Sequence, residues 1–90
     1  MSLNVYRDEA GEFLDKIVAR EEPASRVINM LDEEVALLKE SLDDRERLGH
    51  QVYDALFLLF EMAAMCNLDM DAEWARGRER KRAKYLDKPD

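Results

Sequence analysis

The chain has 90 residues, 47% hydrophobic and 39% charged, and a formal net charge of −7. That length makes one small domain with little surface to bury without a partner, and three Gly with two Pro leave little turn material for a many-stranded sheet. The acidic balance gives no reason to expect DNA or RNA as a partner, and the single Cys66 excludes an intrachain disulfide framework. A lone thiol fits a reducing cytoplasm, which is the expected compartment. No hydrophobic signal segment opens the chain, and no membrane association is expected. The apolar run over residues 55–66 is short for a membrane span and is interrupted by Glu61. No functional role is expected of Met1-Ser2-Leu3.

Tyr6, Ala10, Phe13, Leu14, Ile17 and Val18 recur at helical spacing and predict an amphipathic helix over about residues 6–20. Gly11 is tolerated on or beside its face at a modest cost. Glu21-Glu22-Pro23 closes this helix, since proline disfavours helical geometry in the residue before it. The next helix starts at Pro23 or Ser25 and runs to about residue 42. Val27, Leu31, Leu38 and Leu42 form its stripe, with Glu34 set inside it. Asp43-Asp44 breaks the pattern, and Asp44 is placed to cap a helix beginning at Arg45.

The third helix, about residues 45–66, is the most apolar. Val52, Ala55, Leu56, Phe57, Leu58, Leu59, Phe60, Met62, Ala63 and Met65 cover nearly its whole circumference. A helix apolar all round must be buried on all sides, which a chain this short achieves only with a second subunit. Asn67 suits the left-handed position after this helix, and Asp69 suits the cap of the next. That last helix, about residues 70–85, aligns Met70, Trp74, Gly77 or Arg78, Lys81 and Tyr85, with Trp74 read as core. Its second half is the basic run RGRERKRAK, and residues 86–90 read as a frayed tail. The whole is one all-α domain over residues 1–90, with its core over about 6–85.

Glu34 and Asp54 are acids set into apolar faces of neighbouring helices, where an unpaired buried carboxylate is expensive. Across a helical hairpin they are spaced to share a divalent cation, because Mg²⁺ takes one or two carboxylates and leaves waters and substrate phosphates to complete its octahedron. Two acids on such a hairpin are more often structural than metal-binding. Glu61 lies two turns beyond Asp54, as an auxiliary acid or, more ordinarily, as the partner of an Arg or Lys from the basic helix. His50, one turn before Asp54, is placed to bind phosphate or act as a base, against the plainer reading of an exposed or capping His. The basic run is ordinarily a solvated face, although Arg78, Lys81 and Lys84 recur every three residues, which suits phosphate binding. Cys66, near a helix C-terminus, reads as packing.

The segments EEVALLKESL (residues 33–42) and DRERLGHQVYDALF (residues 44–57) resemble the all-alpha nucleotide pyrophosphohydrolase superfamily. It comprises MazG-type nucleoside triphosphate pyrophosphohydrolases, dimeric dUTPases and phosphoribosyl-ATP pyrophosphohydrolase. The second segment is particularly similar to the last, and the likeness extends over about residues 6–85. The resemblance implies a four-helix MazG-like protomer packed into a homodimer or homotetramer. It also implies Mg²⁺, or Mn²⁺, held by a Glu-Glu-x-x-Glu motif on one helix and a Glu-x-x-Asp motif on the next. The implied activity cleaves a nucleoside triphosphate or phosphoribosyl nucleotide between the alpha and beta phosphates.

Carried over by position, the Glu-Glu pair falls on Glu33 and Glu34, and the Asp on Asp54. The remaining two acids fall on Leu37 and Gln51, so the four usual metal-ligand positions read Glu34, Leu37, Gln51 and Asp54 and half of their anionic charge is absent. Gln51 offers a neutral amide oxygen and Leu37 offers nothing. The implied assignments are Glu33 as the catalytic base and Glu34, Gln51 and Asp54 as metal ligands. Arg78, Lys81 and Lys84 are the implied phosphate contacts; Lys81 stands where the family often has Asn, and Lys84 keeps its Lys. The other functional reading is a non-catalytic homo-oligomer of the same fold that binds a nucleotide or a protein.

Overall fold

A computed structural model describes residues 2–87. Among them are four α-helices and no strand: α1 Leu3–Lys16, α2 Ala24–Glu40, α3 Arg45–Met65 and α4 Met70–Lys81. The backbone runs on from α4 into a π-helical turn, Arg82–Leu86. None of these helices is long and apolar enough to cross a membrane. Met1 and residues 88–90, including most of the expected frayed tail, lie outside the described residues.

The helix ends follow local chemistry. Asp44 caps α3 by accepting from the Arg47 N–H, and Asp69 caps α4 by accepting from the Ala72 N–H. Pro23 precedes α2 as its cap residue, with extended backbone. α3 ends in a Schellman turn: Asn67 is left-handed (φ 53°), and Leu68 and Asn67 donate to the Ala63 and Ala64 carbonyls. α1 differs from the expectation at both ends. Ser2 caps it through the Asn4 N–H, so it starts before Tyr6. A second Schellman turn stops it at Lys16, with Val18 left-handed (φ 55°) and Ala19 and Val18 donating to the Leu14 and Asp15 carbonyls. Three Schellman-style features, the reversed backbone, the paired bonds and the buried Ala19 behind Leu14, account for the early stop without the downstream proline.

α3 is the central helix, flanked by α2 and by α1. Phe13 meets Phe57 edge-on at 5.5 Å between ring centroids, and Tyr6 meets Phe60 at 5.9 Å. Gly11 is required where α1 crosses α3. A Cβ there would stand 3.3 Å from Ala64 Cβ and 2.5 Å from the Arg20 guanidinium, which is held by Asp15. The expected small cost of this glycine is therefore offset by close helix approach. The fully buried side chains are few, chiefly Leu14, Val27 and Ser41, whose hydroxyl donates to the Leu37 carbonyl at 2.7 Å.

Within the protomer one apolar face stays uncovered, as a chain expected to need a second subunit requires, and one expectation fails. α3 is not enclosed, because Val52, Leu56 and Leu59 are 50%, 48% and 49% exposed along one stripe. α2 adds Ile28 and Val35, also exposed, and the link after it adds Leu42 at the same seven-residue spacing. Trp74 is not core either: α4 and the π turn bury no residue at all. α4 joins the body at its root, where Leu3 N–H donates to Asp71 and Met70 N–H donates to Asn4 Oδ1. Ser2 Oγ donates to Asp71, Asn4 Nδ2 to Asp69 and Arg7 to the Leu68 carbonyl. Each helix N-terminus thus receives an acceptor from the other. The radius of gyration, 15.6 Å, exceeds the roughly 12 Å of a compact chain of this length, as an arm standing off a three-helix body requires.

Candidate functional site

A cleft of about 540 Å³ opens among α1, α2 and α3. Glu34 and Met30 of α2, and Tyr53, Asp54, Phe57 and Leu58 of α3, form two of its walls. α1 supplies the third, with Glu9, Glu12, Phe13 and Lys16. Glu34 and Asp54, proposed from the sequence to share a cation, therefore line one cavity. They reach it because the α2–α3 hairpin turns through the short link at residues 41–44, closed by the Asp44 N–H donating to the Ser41 carbonyl.

Glu34 Oε2 and Gln51 Oε1 are buried and have no hydrogen-bond partner. Unpartnered buried acceptors are costly, and both atoms accept only; a cation or its bound waters would satisfy them. Asp54 is half-buried, and its Oδ2 lies 3.1 Å from His50 Nε2, one turn earlier. His50 thus holds the carboxylate from its solvent side, an ion pair when the imidazole is protonated. Among the described residues no group of three or more His, Cys, Asp or Glu side chains is placed to hold a metal. Glu34 and Asp54 bring two carboxylates to the cleft, and Gln51, outside its lining, has a buried amide oxygen; hard oxygens of this kind suit Mg²⁺ or Mn²⁺.

Glu33 is exposed and outside the lining of the cleft. Its helical phase, three residues after Met30, puts it at the outer edge. Leu37, three residues after Glu34, is partly exposed hydrocarbon at that edge. Glu61 is buried on α3 beyond the cleft, and burial pushes its carboxyl above the usual range while Arg26 of α2 pulls it back. The cation near Glu61 is therefore Arg26, itself paired with Glu22, and not one from the basic helix. Cys66 is exposed rather than packed, since the chain turns outward after α3.

The basic residues lie apart from the acids. Arg78 and Lys81 line a separate cleft along the arm, of about 710 Å³, with Trp74 and Tyr85. Lys84 Nζ stands 5.2 Å from the Tyr85 ring centre. Among the described residues of one protomer, the sole Lys or Arg lining the acidic cleft is Lys16 of α1. Its signal was the Glu9, Glu12, Lys16 pattern, a charged face three and four residues apart beside Phe13. No family model, no curated protein and no solved structure matches this chain.

Proposed function

We propose that this protein is a Mg²⁺-dependent nucleotide pyrophosphohydrolase with a MazG-like fold, acting as a homodimer or homotetramer. It cleaves a nucleoside triphosphate or phosphoribosyl nucleotide between the alpha and beta phosphates. The observation that carries the reading is the pair of unpartnered buried oxygens, Glu34 Oε2 and Gln51 Oε1, beside a cleft that Glu34 and Asp54 both line. The exposed apolar stripes of α2 and α3 support the oligomer.

In this reading Glu34, Asp54 and the Gln51 amide oxygen hold Mg²⁺, or Mn²⁺ in its place. Bound there, the ion supplies Lewis-acid polarisation of the phosphoanhydride and a lowered pKa for water. His50 steadies the Asp54 carboxylate, and Glu33 at the edge of the cleft takes the proton of the attacking water. Arg78, Lys81 and Lys84 meet the outer phosphates and offset charge building on the leaving pyrophosphate. Phe13, Tyr53 and Phe57 give the nucleotide base an aromatic wall.

The expected signature is slow, Mg²⁺-dependent release of pyrophosphate and a monophosphate, abolished in Asp54→Ala and weakened mainly in substrate binding by Lys84→Ala. Both products are quantified across common and deaminated nucleoside triphosphates and phosphoribosyl-ATP. Orthophosphate release instead rejects the cleavage position. Leu37 and Gln51, which withhold two acids from the metal, favour a second reading: a non-catalytic oligomer that binds a nucleotide or a protein. Calorimetry with Mg²⁺ and a non-hydrolysable triphosphate, set beside the pyrophosphate assay, separates the two. Binding without pyrophosphate release supports the second reading, and Leu37→Glu with Gln51→Glu should then raise metal affinity.

A further inference from the structure

We propose that the arm formed by α4 and its π-helical turn is exchanged between two copies of this chain, each arm lying along the acidic cleft of the other copy. The arm is built to be covered and its own body does not cover it. It buries no residue, and Trp74 and Tyr85 stand 60% and 62% exposed. Its attachment is confined to its root, and none of its residues lines the acidic cleft of its own protomer.

Charge identifies the occupant. Residues 1–74 hold seven Lys and Arg against eighteen Asp and Glu, while residues 75–90 hold seven against three, so a body of −11 carries an arm of +4. The ions that make no salt bridge include complementary sets: Arg78, Arg80 and Lys81 on the arm, and Glu9, Glu12 and Glu34 beside Lys16 in the cleft. Both surfaces interleave charge with apolar groups, Trp74 and Tyr85 on one and Phe13 and Phe57 on the other. A nucleic acid would suit the arm but would be repelled by the body. A second copy satisfies both.

Size agrees. A 17-residue helical arm reaches about 25 Å, comparable to the length of the body helices. Two Trp and two Tyr, at ~150–250 Å² each and about 60% exposed, hide ~360–600 Å², and the surfaces facing them about as much again, the low end of the interface range before the Arg and Lys stems are added. The exchange brings cations to a cleft that, among the described residues of its own protomer, only Lys16 lines as a cation, and it does not depend on any nucleotide being cleaved.

The test uses cross-linking without nucleotide. Tagged chains carrying Cys66→Ser and Glu12→Cys are mixed with untagged chains carrying Cys66→Ser and Lys81→Cys, then treated with a short bismaleimide. The expected product joins one tagged to one untagged chain, and its yield falls as salt screens the pairing. Arg78→Glu with Arg80→Glu should lower the yield, and Glu9→Lys on the other chain should restore part of it. A second pair, Glu9→Cys with Arg78→Cys, serves if circular dichroism shows the first misfolded. A doubly substituted chain that links to itself at a yield independent of dilution overturns the exchange. So does a monomer, or an oligomer in which neither pair links. Since no nucleotide is present, failure here leaves the pyrophosphate assay to decide the catalytic reading separately.

Discussion

Glu61 sits in the α2–α3 contact as a carboxyl whose charged form is disfavoured by burial. A raised folded pKa means that its contribution to stability is fully present below the unfolded value, about 4.3, and is lost as pH rises through the folded one. Glu61→Gln keeps the shape without the charge. It should therefore raise the urea midpoint at neutral pH and flatten the loss of stability that sets in as pH rises above about 4. An unchanged midpoint at pH 7 would show that Arg26 already compensates the charge. Val18 presents a different residue-scale cost. A β-branched side chain in the left-handed region, 87% exposed, pays steric strain and makes no packing in return. Val18→Gly should stabilise by about 0.5–1 kcal/mol, the strain relieved less the extra freedom of glycine in the unfolded chain. Chemical denaturation at fixed pH measures it.

The clasp between α1 and α4 belongs to the element scale, because it couples two helix N-termini far apart in sequence. Their like-signed dipole ends are brought together and neutralised by Asp69 and Asp71. Both carboxyls lie below their usual range. For Asp69 the main cause is the Ala72 N–H, followed by Asn4; for Asp71 it is the Ser2 hydroxyl, followed by the Leu3 N–H. A depressed folded pKa gives stability that is present above the unfolded value, about 3.9, and lost as pH falls through the folded one. The arm should thus loosen first on acidification. Amide exchange of α4 should rise below about pH 4 before that of α3, and Asp71→Asn should show the same loosening at neutral pH. If α4 and α3 exchange together in both cases, the clasp is not a separate cooperative unit.

At the scale of the molecule the protomer is incompletely covered, on the stripe of Val52, Leu56 and Leu59 as well as along the arm. Apolar surface arranged in stripes on adjacent helices favours association. Light scattering in dilute solution should show a dimer or larger species. Leu56→Glu should shift it toward monomer while keeping the helical circular dichroism, because that side chain is only half-buried in the protomer. A monomeric unsubstituted chain would sink the assembly.

The sequence alone determined the number of helices, most of their ends and the placing of Glu34 and Asp54 on facing helices. Those are local matters: apolar periodicity sets the helices, Asp44 and Asp69 cap them through their own backbone, and Asn67 accepts a left-handed turn at little cost. Val18 hid its turn because the same reversed backbone there is forced on a residue that disfavours it. Tertiary structure decided the rest. Ser2, Leu3 and Asn4 acquire their role only when α4 arrives beside them, from more than 60 residues away. The apolar circumference of α3 foretold burial but not its coverer, and Trp74 had a core-like spacing with no core within reach. Likewise Glu9, Glu12 and Lys16 became the third wall of the cleft through the close approach of α1 at Gly11. Hydrophobic spacing states which faces avoid water; which surface meets each face is settled by three-dimensional packing.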